Sequence, residues 1–254
     1  MITLGHKILG DGAKKILFLH ELMGDCRNYE PIFPYLDTEQ FTYIFVDLRG
    51  YGKSKDIKGE YSCDEASKDV QNLITKLGFA SVTIVAHSMS TMIAQKIALD
   101  DSRVTKLILV TPIPASGIKL PTKARDKLIN EMAENKNKIE EIVYSASKRY
   151  NDTWAKNRIR TAYESSTVEA RVGYMKMYLD TDFSHEIKNI KIPIKIIVGK
   201  NDFPIFGLSL VTKVFSHSYK NLEIIESSEA GHYPMLETPV YFASKIENFC
   251  IEES

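Results

Sequence analysis

The stretch "TIVAHSMSTM", Thr83–Met92, joins two kinds of pattern. Thr83, Ile84, Val85 and Ala86 form an apolar, β-branched run of the kind found in a strand covered on both faces. Beyond Ser88 the spacing turns helical. Ser88 therefore stands at a strand-to-helix turn, with His87 before it and Met89 after it. A serine in that position is either a helix N-cap or a nucleophile. Which of the two depends on what the rest of the chain brings to the same end of the sheet.

Working outward, similar apolar runs recur at Lys14–His20, Phe41–Leu48, Ser81–His87, Val104–Thr111, Ile192–Gly199 and Asn221–Ser227. Helical segments lie between them. Ser62 with Glu65 reads as a capping box, and Gly78 as the end of that helix. Thr238-Pro239 reads as an N-cap followed by a first-turn proline. Strands alternating with helices imply an α/β fold with a doubly wound, mostly parallel sheet. The first dozen residues suggest a short antiparallel edge, with "GDG" (Gly10–Gly12) as its turn. From Ile113 to Asn189 no strand pattern appears, only apolar residues at helical spacing. This reads as an inserted helical cap, residues 113–189, dividing a core made of residues 1–112 and 190–254. Insertions at the carboxyl ends of strands usually cover the site formed there.

In a parallel sheet, the loops after the strands converge on one crevice. Three reactive side chains follow strands: Ser88, then Asp202 after "IIVGKN", then His232 after "IIESSEAG". An alcohol, a carboxylate and an imidazole are the parts of a nucleophile, its base and the group that orients the base.

With these residues in place, the chain resembles members of the α/β-hydrolase fold family. Their triad runs Ser, Asp or Glu, His, and their serine sits on a strained elbow. "LHELMGD" (Leu19–Asp25) is similar to the family's His-Gly loop, and "DLRGYGKS" (Asp47–Ser54) to the next loop. "VGKNDFP" (Val198–Pro204) resembles the acid loop, and "AGHYPMLETPVYFASKIENF" (Ala230–Phe249) the His loop and final helix. The resemblance covers essentially the whole chain and points to an esterase- or haloperoxidase-like branch. It implies a catalytic triad of Ser88, Asp202 and His232. It also implies an oxyanion hole made of the backbone N–H groups of Met89 and Leu22.

The implied reaction is hydrolysis of a carboxylic ester or lactone of a small, mostly apolar acyl compound, through an acyl-Ser88 intermediate. Neither a metal nor an organic cofactor is implied. Cleavage of a carbon–carbon bond and perhydrolysis use the same triad in relatives and stay open. So does a ligand-sensing protein with little turnover. Two features depart from the family pattern. Ala86 and Ser90 replace the glycines that flank the elbow, which implies a more crowded turn. Glu21 replaces the glycine before Leu22, where its carboxylate would oppose an oxyanion unless it faces solvent or pairs with Arg49 or a lysine.

Other reactive residues read as structural. His20 is expected to bond to loop backbone and His87 to pack under the elbow. Asp47 and Arg49 belong to a turn, and Asp180 and Asp182 to a solvated loop. Tyr174, Met175, Met177 and Tyr178 either line a substrate pocket or form the insertion's packing face, and Trp154 carries the same two readings.

Composition narrows the partners. Across 254 residues Lys+Arg and Asp+Glu both total 33, so the formal net charge is zero. That argues against a nucleic-acid partner or an anionic membrane surface, and leaves a small-molecule substrate. Neither a signal peptide nor a membrane-spanning run is read, and the three cysteines, Cys26, Cys63 and Cys250, lack metal-ligand spacing. Reduced thiols in a cytoplasm fit this pattern.

Overall fold

A computed structural model describes residues 2–134, 136–146 and 150–252. The strands are β1 (His6–Leu9), β2 (Lys14–Leu19), β3 (Phe41–Val46), β4 (Val82–His87), β5 (Val104–Val110), β6 (Ile194–Gly199) and β7 (Leu222–Ser227). They form one seven-stranded sheet in the order β1-β3-β2-β4-β5-β6-β7, parallel except for β1. The inner strands are continuous apolar runs because both faces are covered. Leu17, Leu19, Ile84, Ala86, Leu107 and Leu109 turn to one side of the sheet, while Ile16, Phe18, Val85 and Ile108 turn to the other.

The edge strand differs from its expected place. β1 is antiparallel, but it pairs with β3, His6 opposite Val46, and not with β2. Gly10–Gly12 therefore does not close a hairpin. It carries the chain past the end of β3, with Asp11 N–H donating to Thr38 O and Gly12 N–H to Phe41 O. Gly10 has a φ of 80°, and a Cβ there would meet Phe41 O at 2.4 Å.

The helices are α1 (Cys63–Lys76), α2 (Ser90–Asp100), α3 (Thr122–Glu134), α4 (Lys136–Ala146), α5 (Asp152–Ser165), α6 (Val168–Asp180), α7 (Leu208–Ser218), α8 (Pro234–Glu237) and α9 (Pro239–Ile251). Helix α1 starts where Ser62 accepts the Glu65 N–H, and ends before Gly78 at φ 69°. The Glu65 carboxylate reaches back to the Tyr61 N–H, one residue before the one a capping box uses. Helices α3–α6 lie between β5 and β6. They are tied to the loop after β3, where Thr167 N–H donates to Gly50 O and Tyr51 forms a bridge with Ser166. Among the described residues, no helix is long and apolar enough to cross a membrane.

Candidate active site

Ser88 follows β4, Asp202 follows β6 and His232 follows β7, so all three lie at the carboxyl edge of the sheet. Ser88 has a φ of 52°, a left-handed conformation that costs a non-glycine residue about 1–3 kcal/mol. What holds it there is a set of hydrogen bonds around the turn. Ser88 N–H donates to Val110 O on β5 at 2.9 Å, and Thr91 Oγ1 donates to Ser88 O at 2.6 Å.

The elbow accommodates both departures from glycine. Ala86 is fully buried. The Ser90 hydroxyl accepts the His87 N–H at 3.1 Å and is within donating distance of Leu19 O at 3.1 Å and His87 O at 3.0 Å. Ser90 thus stitches the turn to the end of β2 instead of merely crowding it. Met89 is the residue from which α2 begins.

His232 Nδ1 lies 2.9 Å from each Asp202 carboxylate oxygen. Burial alone would push the imidazole's pKa down. The Asp202 charge and hydrogen bond, with Glu21 and Glu237 adding to them, outweigh that and hold it above the ordinary histidine value. The loop is braced from below. Glu237 accepts the N–H groups of Gly231 at 2.7 Å and Tyr233 at 2.9 Å, on either side of His232. His87 lies beneath, with Nε2 at 2.7 Å from His232 O. Burial pushes its pKa well down, and the neighbouring His232 adds to this, so His87 stays neutral.

Ser88 and His232 line one cavity of about 320 Å³, with Glu21 as the carboxylate in its wall. The remaining wall is apolar and includes Leu22, Ile113, Ile142, Met175, Tyr178 and Phe206. Met175 and Tyr178 thus line the same cavity as Ser88 and His232. Tyr174 and Trp154 do not. Tyr174 is fully buried against Tyr51 and Tyr61, and Trp154, which does not line this cavity, stacks on Tyr150 and meets Tyr233 edge-on.

Glu21 has neither of the partners expected for it. Arg49 is occupied by Asp69 and Glu65. Glu21 instead pairs with Arg158 on α5, Nη2 to Oε1 at 3.3 Å. Its carboxylate also accepts the Met23 N–H and the Asn28 side-chain amide, the latter at 2.9 Å. Arg158 further donates to Asn28 Oδ1 at 2.8 Å and lies over the Tyr233 ring, 4.4 Å from its centroid. Tyr51 Oη donates to Leu22 O at 2.9 Å and fixes the next peptide of the same loop. His20 bonds to loop backbone, with Nε2 accepting the Leu48 N–H at 3.1 Å.

Among the described residues, Asp25, Cys26 and Asp47 place potential metal-ligand atoms within 4.8 Å of one another. These groups already have partners. Asp25 pairs with Arg27, and Asp47 accepts the N–H groups of Cys26 and Lys53. Burial raises all three thiols, Cys63 to about 12 and Cys250 to about 11, so they stay protonated.

Comparison with known proteins is decided by one match. A family model described as the alpha/beta hydrolase fold matches residues 14–239. The chain belongs to the α/β-hydrolase fold family. Relatives of this α/β hydrolase include a non-heme chloroperoxidase of Kitasatospora aureofaciens, 26% identical over 91% of this chain and 87% of that protein. A bifunctional esterase/perhydrolase of Acinetobacter calcoaceticus is 23% identical over 92% of this chain and 88% of its own. An esterase from Exiguobacterium antarcticum superposes with a TM-score of 0.87 at 20% identity, covering 97% of this chain and 95% of that one. At that identity the superposition speaks for the fold alone.

Sequence reasoning missed Arg158, Asn28 and Glu237. Glu237 carried a signal, since it follows His232 within the quoted His-loop motif. Arg158 carried none, because its partner Glu21 lies 137 positions away.

Proposed function

We propose that the protein is a serine hydrolase acting on carboxylic esters or lactones with a small, mostly apolar, uncharged acyl part. The observation that carries this reading is the Asp202–His232 hydrogen bond facing the same apolar cavity as Ser88, which is held at positive φ. His232 takes the Ser88 proton while Oγ attacks the carbonyl carbon. Asp202 keeps the imidazole in the needed tautomer and stabilises the imidazolium. The Met89 and Leu22 N–H groups take the oxyanion, where one donor is typically worth about 100- to 1000-fold in rate. Collapse of the tetrahedral adduct expels the alcohol, protonated by His232, and leaves acyl-Ser88. Water activated by His232 then releases the acid.

Residues 113–189 act in this reading as the cap that gives the cavity its apolar roof, through Ile142, Met175 and Tyr178. Perhydrolysis is the second reading, favoured by the esterase/perhydrolase relative, and differs only in peroxide replacing water at acyl-Ser88. The test is Ser88→Ala with p-nitrophenyl butyrate. The variant should retain less than about 1% of wild-type kcat/KM, since losses in such triads are far larger than a hundredfold. Activity above that level removes Ser88 from the mechanism.

A further inference from the structure

Ile118 and Ile205 line the cavity over Ser88, and both also line a second cavity of about 170 Å³. The second cavity lies between the segment that leaves β5, with Pro112, Pro114 and Gly117, and the face of α7 that carries Leu210, Val211 and Val214. Its wall contains no charged or hydrogen-bonding side chain. Ile118 is pinned in place, because its N–H donates to Tyr178 O at 2.9 Å on α6. Gly117 permits this close approach, for at its φ of 70° a Cβ would meet the same carbonyl at 2.6 Å. Ile118 and Ile205 are thus shared by the walls of the two cavities. One is backbone-anchored, and the other, Ile205, is 44% exposed. Leu120, beside the first cavity, and Leu210, beside the second, are exposed at 39% and 46%.

The geometry points to this second cavity as a subsite for the distal methylenes of a linear acyl chain whose carbonyl sits at Ser88. The inference rests on the hydrolase reading and extends its acyl part from small groups to unbranched, medium-length chains. Adjacency decides the occupant. A chain held at Ser88 meets Ile118 and Ile205 in the wall of the catalytic cavity, passes Ile205, the more exposed of the two, and enters a space lined by apolar residues alone. No charged side chain lines the second cavity to pair with a terminal carboxylate or ammonium, which favours a plain alkyl chain there.

The test is a p-nitrophenyl ester series from butyrate to dodecanoate, kept at monomeric concentrations, on the wild type, Val214→Trp and Leu210→Trp. Neither substituted residue lines the cavity over Ser88. Filling the second cavity should leave butyrate turnover within about twofold of wild type. The decanoate-to-butyrate ratio of kcat/KM should fall at least about tenfold, because each methylene denied burial costs about fourfold. Ile118→Ala, which widens the way between the two cavities, should shift the preference toward longer chains. An unchanged chain-length profile in Val214→Trp and Leu210→Trp overturns the subsite. Should Val214→Trp not fold, Leu210→Trp, at an exposed position, decides alone. A failure of the hydrolase reading is distinct: the wild type itself would then not turn over butyrate.

Discussion

Arg158 Nη2 lies 3.3 Å from Glu21 Oε1, with 7% and 3% of the two side chains exposed. This buried pair ties α5 to the loop between β2 and β3 that carries the Leu22 amide. It also explains how a carboxylate is tolerated in the cavity wall, since its charge is met by a guanidinium, a backbone N–H and a side-chain amide.

Removing one member of such a pair leaves a buried charge alone. Arg158→Met should therefore lower stability by about 3–5 kcal/mol, and Glu21→Gln added to it should recover much of that loss. Glu21→Gly should likewise destabilise, and not accelerate, the protein. Urea unfolding of the single and double variants measures the coupling. An unchanged midpoint in Arg158→Met would mean that the pair holds nothing together.

Asp202→Asn keeps the shape of the acid and loses its charge. The wrong His232 tautomer should then prevail, lowering kcat by up to about 10⁴-fold with little change in stability. Wild-type kcat in this variant would assign the orienting role to a different carboxylate, and Glu237 is the nearest by loop position.

The pH dependence follows from the direction of the His232 shift. His232 must be neutral to accept the Ser88 proton, so activity is present above its pKa and lost as pH falls through it. Because Asp202, Glu21 and Glu237 hold that pKa up against burial, the acid limb of kcat/KM should have its midpoint above the unperturbed value of about 6.5. Glu21→Gln, which removes one of these charges, should move the midpoint down. A midpoint below the unperturbed value would contradict the electrostatic account of the site.

Ser90→Gly restores the residue usual in the family but removes a buried hydroxyl with three backbone partners. Thermal denaturation should show a loss of about 1–2 kcal/mol, from the bonds and from glycine at the start of α2. Ester hydrolysis should persist, because the elbow geometry is kept by Val110 and Thr91. A gain in stability would show that Ser90 crowds the turn after all.

The parallel strands were legible because strands covered on one or both faces are written as mostly apolar runs, and each lies within two residues of its expected bounds. The partner of β1 was not legible. The first dozen residues read as a short antiparallel edge, but pairing with β3 instead of β2 depends on a crossover that leaves no mark in the sequence. At the site, Ser88, Asp202 and His232 could be picked out because each follows a strand. The surroundings could not, because they are set by the docking of α5 and α6. Tyr174 and Met175 are adjacent in sequence, yet one is buried behind the cavity and the other faces it. Helical spacing gives a face but not what it meets. Arg158 looked like any charged helix residue until its packing on Glu21 and Tyr233 was seen.

The most direct test of the central claim is reaction with a fluorophosphonate, followed by intact-mass analysis and peptide mapping. The account predicts a single adduct on Ser88, absent in Ser88→Ala and formed much more slowly in Asp202→Asn. A protein that remains unmodified, or one labelled at another residue, would contradict it.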